Sequence, residues 1–152
     1  MKAINVLLIT GSKSDLPKMQ PCVDMLDELG IPSELVVASA HRAPKKVLES
    51  VKAAEKAGAE VIIAAAGMSA ALPGVVASQT DLPVIGVPLE GGLPGGLDAL
   101  FSVVQMPPGI PVAAVAGGGA KNAAVLAARI LAIKHEDIAE KVHQYRKSLA
   151  DG

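Results

Sequence analysis

The chain has 152 residues, about half of them apolar, with fourteen basic against fifteen acidic side chains, a net charge of −1 and one cysteine. That length fits one domain, and the apolar content suffices for a core of two or three packed layers. Balanced charge supplies no basic field for nucleic acid or an acidic membrane surface, Phe101 and Tyr145 leave almost nothing on which bases stack, and a lone Cys22 excludes an internal disulfide or a cysteine-rich zinc site and suits a reducing cytoplasm.

The apolar Met1–Thr10 segment runs straight into Gly-Ser-Lys-Ser-Asp without a small-residue cleavage site, so it reads as a first strand, Ile4–Thr10, and not as a signal peptide. No apolar run is long enough to span a bilayer. Gly11–Asp15 is a loop, and Pro17 opens a helix that carries Met19, Val23, Leu26 and Leu29 at helical spacing and stops at Gly30. A second strand at about Glu34–Ser39 ends in Ser39-Ala40-His41-Arg42, which gathers a hydroxyl, an imidazole and a guanidinium where parallel α/β folds bind ligands. Pro44–Ala57 is a helix with Val47, Leu48, Val51 and Ala54 inward and Gly58 closing it. Glu60–Ala66 is a third strand, Gly67–Gly74 a loop of small residues, Val75–Gln79 a short helix and Pro83–Val87 a fourth strand. Pro88–Gly96, with four glycines, has the composition of a lid or binding loop. Leu97–Val104 is helical, Met106–Pro111 a rigid connector, and Val112–Ala116 a fifth strand that ends in three glycines. Apolar helix Ala120–Ala132 and helix Glu136–Leu149, striped by Ile138, Val142, Tyr145 and Leu149, complete the chain. Strands alternating with helices predict a three-layer α/β/α sandwich with a five-stranded parallel sheet, flavodoxin-like, in the order 2-1-3-4-5. Residues 1–152 form one domain, and the stripe on the helix at about 136–149 suits packing on a neighbouring subunit as well as on its own domain.

The loops that converge on one edge of this sheet carry Gly, Ser, Pro, one Asp, one His and one Arg. Such residues build tight turns, but several such loops on one edge favour a ligand site. Gly11–Asp15 is suited to a phosphate or ribose, although it matches neither the dinucleotide nor the triphosphate fingerprint. Asp15 is either a residue of the helix N-terminus or an acceptor for sugar hydroxyls. His41 is the only imidazole in a strand-end loop, while His135 and His143 fall on the C-terminal helical region and read as solvent-facing. Arg42 has the planar fork that phosphate binding uses, and beside His41 its charge favours the neutral imidazole that proton transfer needs. Gly67–Gly74 either brings backbone N–H groups close to a small planar or linear group or marks close helix–sheet packing. Gly117–Gly119 is either an anion-binding nest or a turn.

Gly-Ser-Lys-Ser-Asp at 11–15, Ser-Ala-His-Arg-Ala-Pro at 39–44, Leu-Pro-Gly at 72–74, Val-Gln-Met-Pro-Pro-Gly-Ile-Pro-Val at 104–112 and Asn-Ala-Ala-Val-Leu-Ala-Ala-Arg-Ile-Leu at 122–131 together resemble the PurE family, in order and across nearly the whole chain. The resemblance implies a role in purine synthesis. The mutase members convert N5-carboxyaminoimidazole ribonucleotide, supplied by an ATP-dependent partner enzyme, to 4-carboxy-5-aminoimidazole ribonucleotide. The direct carboxylase members use carbon dioxide and the uncarboxylated ribonucleotide. It further implies no metal or organic cofactor, a homo-octamer, and no nucleic-acid or membrane partner. Matched residue by residue, Ser12 and Asp15 bind ribose, Ser14, Ser39 and Arg42 hold the phosphate, Gly67, Ser69 and Leu72 contact the substrate, and His41 is the general acid and base.

One departure bears on the donor. Mutase members usually read Gly-Gly-Ala-Ala-His-Leu-Pro-Gly where this chain has Gly67–Gly74, so Ala71 replaces a second histidine. Ser69 and Lys121-Asn122 look like direct carboxylases, Val104–Val112 and Arg42 with Pro44 like mutases, and the mutase is the expectation. A non-catalytic nucleotide-binding module is a remoter alternative. A receiver-type signalling domain would need an aspartate where the third strand ends in Ala66–Gly67, and a flavin carrier would need aromatic side chains in its loops.

Overall fold

A computed structural model describes residues 3–150; Met1, Lys2, Asp151 and Gly152, and with them the ends of the expected domain and the start of the apolar N-terminal segment, lie outside the described residues. Five parallel strands, β1 (Val6–Thr10), β2 (Ser33–Val37), β3 (Val61–Gly67), β4 (Val84–Leu89) and β5 (Ala113–Ala114), form one sheet in the order β2-β1-β3-β4-β5, as expected. Every residue of β1 and β4 is buried, and so is all of β3 except Gly67, because helices cover both faces. Successive side chains alternate between two cores. Val6, Leu8, Ile63, Ile85 and Val87 pack beneath α1 (Leu16–Glu28), α5 (Ala120–Leu131) and α6 (Glu136–Ala150). Leu7, Ile9, Ile62, Ala64 and Val84 pack beneath α2 (Pro44–Lys56), α3 (Leu72–Ala77) and α4 (Leu97–Val104).

Two helices end by the same local chemistry. After α1, Gly30 sits at φ +65, its N–H donates to Asp27 O and that of Ile31 to Leu26 O. After α2, Gly58 sits at φ +96, its N–H donates to Glu55 O and that of Ala59 to Ala54 O. A left-handed glycine closes each helix, satisfies its last carbonyls and turns the chain towards the next strand.

Several expected boundaries move. The fifth strand shrinks to Ala113–Ala114, both exposed, because it is an edge strand paired on one side only. The short helix begins at Leu72, not Val75, since Pro73 sits in its first turn, where a proline costs no hydrogen bond. Pro88 and Leu89 continue β4 opposite Ala66 and Gly67 and do not belong to the glycine-rich loop. Leu48 faces outward, with Val47, Val51 and Ala54 forming the buried stripe of α2. In α6, Ile138 and Val142 pack into the chain's own core, Tyr145 is partly buried against it and Leu149 is exposed.

His135 also departs from expectation. Its Nε2 lies 2.5 Å from Glu60 Oε1, and Lys134 Nζ donates to Glu60 Oε2 at 2.8 Å, so the turn between α5 and α6 is tied to the start of β3; His143 is exposed, as expected. The Lys134 hydrogen bond, aided by that of His135 and opposed by partial burial, holds the Glu60 carboxyl below its ordinary value of 4.5. A depressed folded-state value means stability that is present above the unfolded value and lost as pH falls through the folded one. Glu60→Gln is therefore expected to cost about 1 kcal/mol at neutral pH, a deficit that closes below about pH 3, checked by urea denaturation across that range. Cys22 is fully buried, and burial pushes its thiol up to about 12. Alkylation at pH 8 should be at least ~100-fold slower in the native protein than in denaturant, where one thiol should react.

Candidate functional site

The sheet delivers its loops to one rim. In register, Thr10 lies opposite Val37 and Ala65, and Gly67 opposite Leu89, so β1 to β4 end side by side. At that rim opens a cavity of about 560 Å³, a size suited to a small-molecule ligand. Ser12, Ser14, Asp15, Ser39, His41, Arg42, Gly67, Ser69 and Leu72, the residues singled out from the sequence, all line it.

The first loop is built on serine chemistry. Buried Thr10 donates its hydroxyl to Ser12 O, and Ser12 caps a single 3₁₀ turn, Lys13–Asp15, by accepting from the Ser14 N–H at 3.3 Å. The Ser12 and Ser14 hydroxyls are 2.9 Å apart and share one proton, which leaves the other to donate to a ligand. Asp15 then occupies the N-cap position of α1, but its carboxylate makes no capping hydrogen bond. It is 9% exposed and 3.7 Å from Lys18 Nζ, so its oxygens stay largely unspent at the cavity wall.

In the second loop the Ser39 hydroxyl accepts from the Arg42 N–H at 3.2 Å and from Arg42 Nε at 3.4 Å. Being an acceptor twice over, it keeps its own proton to donate. The same guanidinium reaches across to Gly11 O at 3.3 Å and so locks the first and second loops together. Pro44 then starts α2, and His41 stands exposed on the rim between these anchors.

The third loop approaches the fourth. A Cβ added to Gly67 would lie 3.1 Å from Leu89 O, so this close strand-end contact needs glycine. Ala71, at the N-cap of α3, also lines the cavity and presents only a methyl group. The loop after β4 is tied down by Lys18 Nζ donating to Glu90 O at 2.8 Å and by the Gly95 N–H donating to Glu90 Oε1 at 3.1 Å.

Lys18, Met68, Glu90 and Gly91 line the cavity without having been singled out. The position of Lys18 three residues after Asp15, one helical turn on, was a usable signal; for the others only membership of the small-residue and glycine-rich loops pointed to the rim. Phe101 lies on α4 and Tyr145 on α6, away from the lining residues.

Comparison with known proteins agrees with this geometry. The family model described as AIR carboxylase matches residues 5–152. The N5-carboxyaminoimidazole ribonucleotide mutase of Pyrococcus horikoshii is 54% identical over 142 residues, covering 93% of this chain and 80% of that protein. The Thermotoga maritima protein of the same name is also 54% identical, over 93% of this chain and 83% of its own. The crystal structure of Treponema denticola PurE superposes with a TM-score of 0.86 at 32% identity, covering 96% of this chain and 91% of that one. Family match, close relatives and shared architecture each extend over nearly the whole sequence, and the chain belongs to the AIR carboxylase family.

Proposed function

We propose that the protein is an N5-carboxyaminoimidazole ribonucleotide mutase of purine biosynthesis, which moves a carboxyl group from the exocyclic nitrogen of the substrate to carbon 4 of its ring. The carrying observation is one cavity lined by a serine-rich anion cradle, an unspent carboxylate and a single imidazole, in a chain whose relatives bear that name. Direct carboxylation, the rival that Ala71 raises, is not favoured, because relatives at 50–54% identity carry the mutase name.

In this reading Ser14, Ser39 and Arg42 take the phosphate, using the hydroxyl protons and guanidinium face left over from their mutual contacts. Ser12 and Asp15 take the ribose hydroxyls, and Gly67, Ser69 and Leu72 flank the base. His41 gives a proton to the exocyclic nitrogen as its bond to the carboxyl carbon breaks and carbon dioxide departs. Carbon 4 then bonds to that carbon dioxide, and the proton it sheds returns to His41. The imidazole ends as it began, so one proton-transfer group suffices and a second histidine at position 71 is not needed for balance. Confinement of carbon dioxide beside the ring supplies the proximity that drives recapture. The reading extends to a cytoplasmic homo-octamer fed by an ATP-dependent carboxylating enzyme. The exposed Leu97, Phe101 and Val104, spaced four and three residues apart on α4, suit a subunit contact.

Purified protein given N5-carboxyaminoimidazole ribonucleotide should form the 4-carboxy product, and bicarbonate with the uncarboxylated ribonucleotide should not replace it; the reverse result would establish the carboxylase. His41→Asn should still bind the ribonucleotide by calorimetry but turn over at least ~100-fold more slowly. Asp15→Asn should lower substrate affinity by ~10-fold or more while costing less than about 1 kcal/mol of folding stability, because the carboxylate caps nothing.

A further inference from the structure

Met68 is the only non-glycine residue at positive φ among the described residues, at +54. A side chain held in the left-handed region is strained, and strain persists where surrounding structure or function repays it. The core does not repay it here: Met68 is 60% exposed, at the rim of the cavity between Gly67 and Ser69.

What Met68 meets is the loop after β4. Its Cγ lies 3.4 Å from where a Cβ on Gly92 would stand and 3.9 Å from that of Gly91, so the thioether chain runs along a bare stretch of glycine backbone. That stretch hangs between fixed points. Lys18 and the Gly95 N–H hold Glu90 on one side, and the Leu93 N–H donates to Asp98 Oδ2 at 3.3 Å on the other. Gly92 cannot take a side chain without striking the Asp98 carboxylate. Met68 and Gly91 thus close the cavity from above, opposite the serine and arginine floor.

We propose that Met68 is a positioning residue, the apolar clasp on which the Glu90–Gly92 strap closes to retain the carbon dioxide released in the mutase reaction until carbon 4 captures it. The inference rests on the mutase reading above. Between cleavage of the nitrogen–carbon bond and formation of the carbon–carbon bond, the transferring group is neutral and linear, and no charge on the protein can grip it. A close-fitting wall that excludes water holds it, and a flexible, polarisable thioether against peptide backbone makes such a wall. Met68 touches the strap and not the reacting atoms, so its loss should alter where carbon dioxide goes more than how fast His41 moves protons.

The test follows the label. Substrate with a ¹³C carboxyl is turned over in unlabelled bicarbonate, with an enzyme-free blank subtracted, and the product is weighed by mass spectrometry. Wild-type protein should keep the label in the product. Met68→Gly, which relieves the backbone strain and should melt no lower than wild type, should release at least about fivefold more label to solution and accumulate uncarboxylated ribonucleotide. Met68→Leu, which restores apolar bulk, should retain it. Equal label retention in wild type and Met68→Gly, or complete washout in wild type, overturns the role of Met68 while leaving the mutase in place. Failure of wild type to convert the N-carboxylated substrate at all overturns the mutase reading and this inference with it.

Discussion

The parallel register of β1, β3 and β4 is the constraint from which the site follows. These strands are buried on both faces, so their side chains are committed to two cores and their backbone groups to the ladder. A slip of one residue would exchange the two cores, sending Leu8 and Ile63 to the face of Leu7 and Ile62. With the register held, Gly11, Gly67 and the chain after Leu89 must emerge at one rim, and every polar group the interior cannot accept collects there.

Small residues make this compactness possible. Gly86 on β4 stands beside Ala64 on β3 and Ala114 on β5, and a Cβ there would collide with Val103 of α4. On the other face Ala120, Ala123, Ala124, Ala127 and Ala128 bury a nearly smooth side of α5 in the core shared with α1. Helices that approach this closely keep the strand ends, and therefore the loops, within reach of one ligand.

Most of this was legible in the sequence for a simple reason: apolar runs with proline at helix starts and glycine at helix ends state the period and its interruptions directly. Leu97–Val104 matches residue for residue, and α1, α2, α5 and α6 match to within two residues. What failed depended on distance. Val112–Ala116 has a strand's composition, yet only two residues find a partner at the sheet edge. His135 looked solvent-facing because Glu60, its partner, lies 75 residues away in sequence. Lys18 and Glu90, 72 residues apart, were likewise silent until the fold joined them. The nine singled-out site residues were legible because each sits in a loop directly after a strand or at the start of the helix that follows, where parallel topology alone places them. Their division into phosphate, ribose and base contacts comes from family resemblance and not from periodicity.

The cavity is divided in a way that matches a reaction with a charged handle and an uncharged cargo. Its floor spends serine hydroxyls and one guanidinium on each other just far enough to fix their positions, leaving protons and charge aimed outward. Its other wall is made of Ala66, Ala71, Leu72 and Met68, which offer neither. A phosphate is held by charge and directed hydrogen bonds, which tolerate nearby water, whereas carbon dioxide is held only by shape and by the absence of water. Placing an imidazole on the rim between the two regions lets one substrate be anchored firmly at its inert end while the mobile group meets nothing that would bind it too well to be passed on.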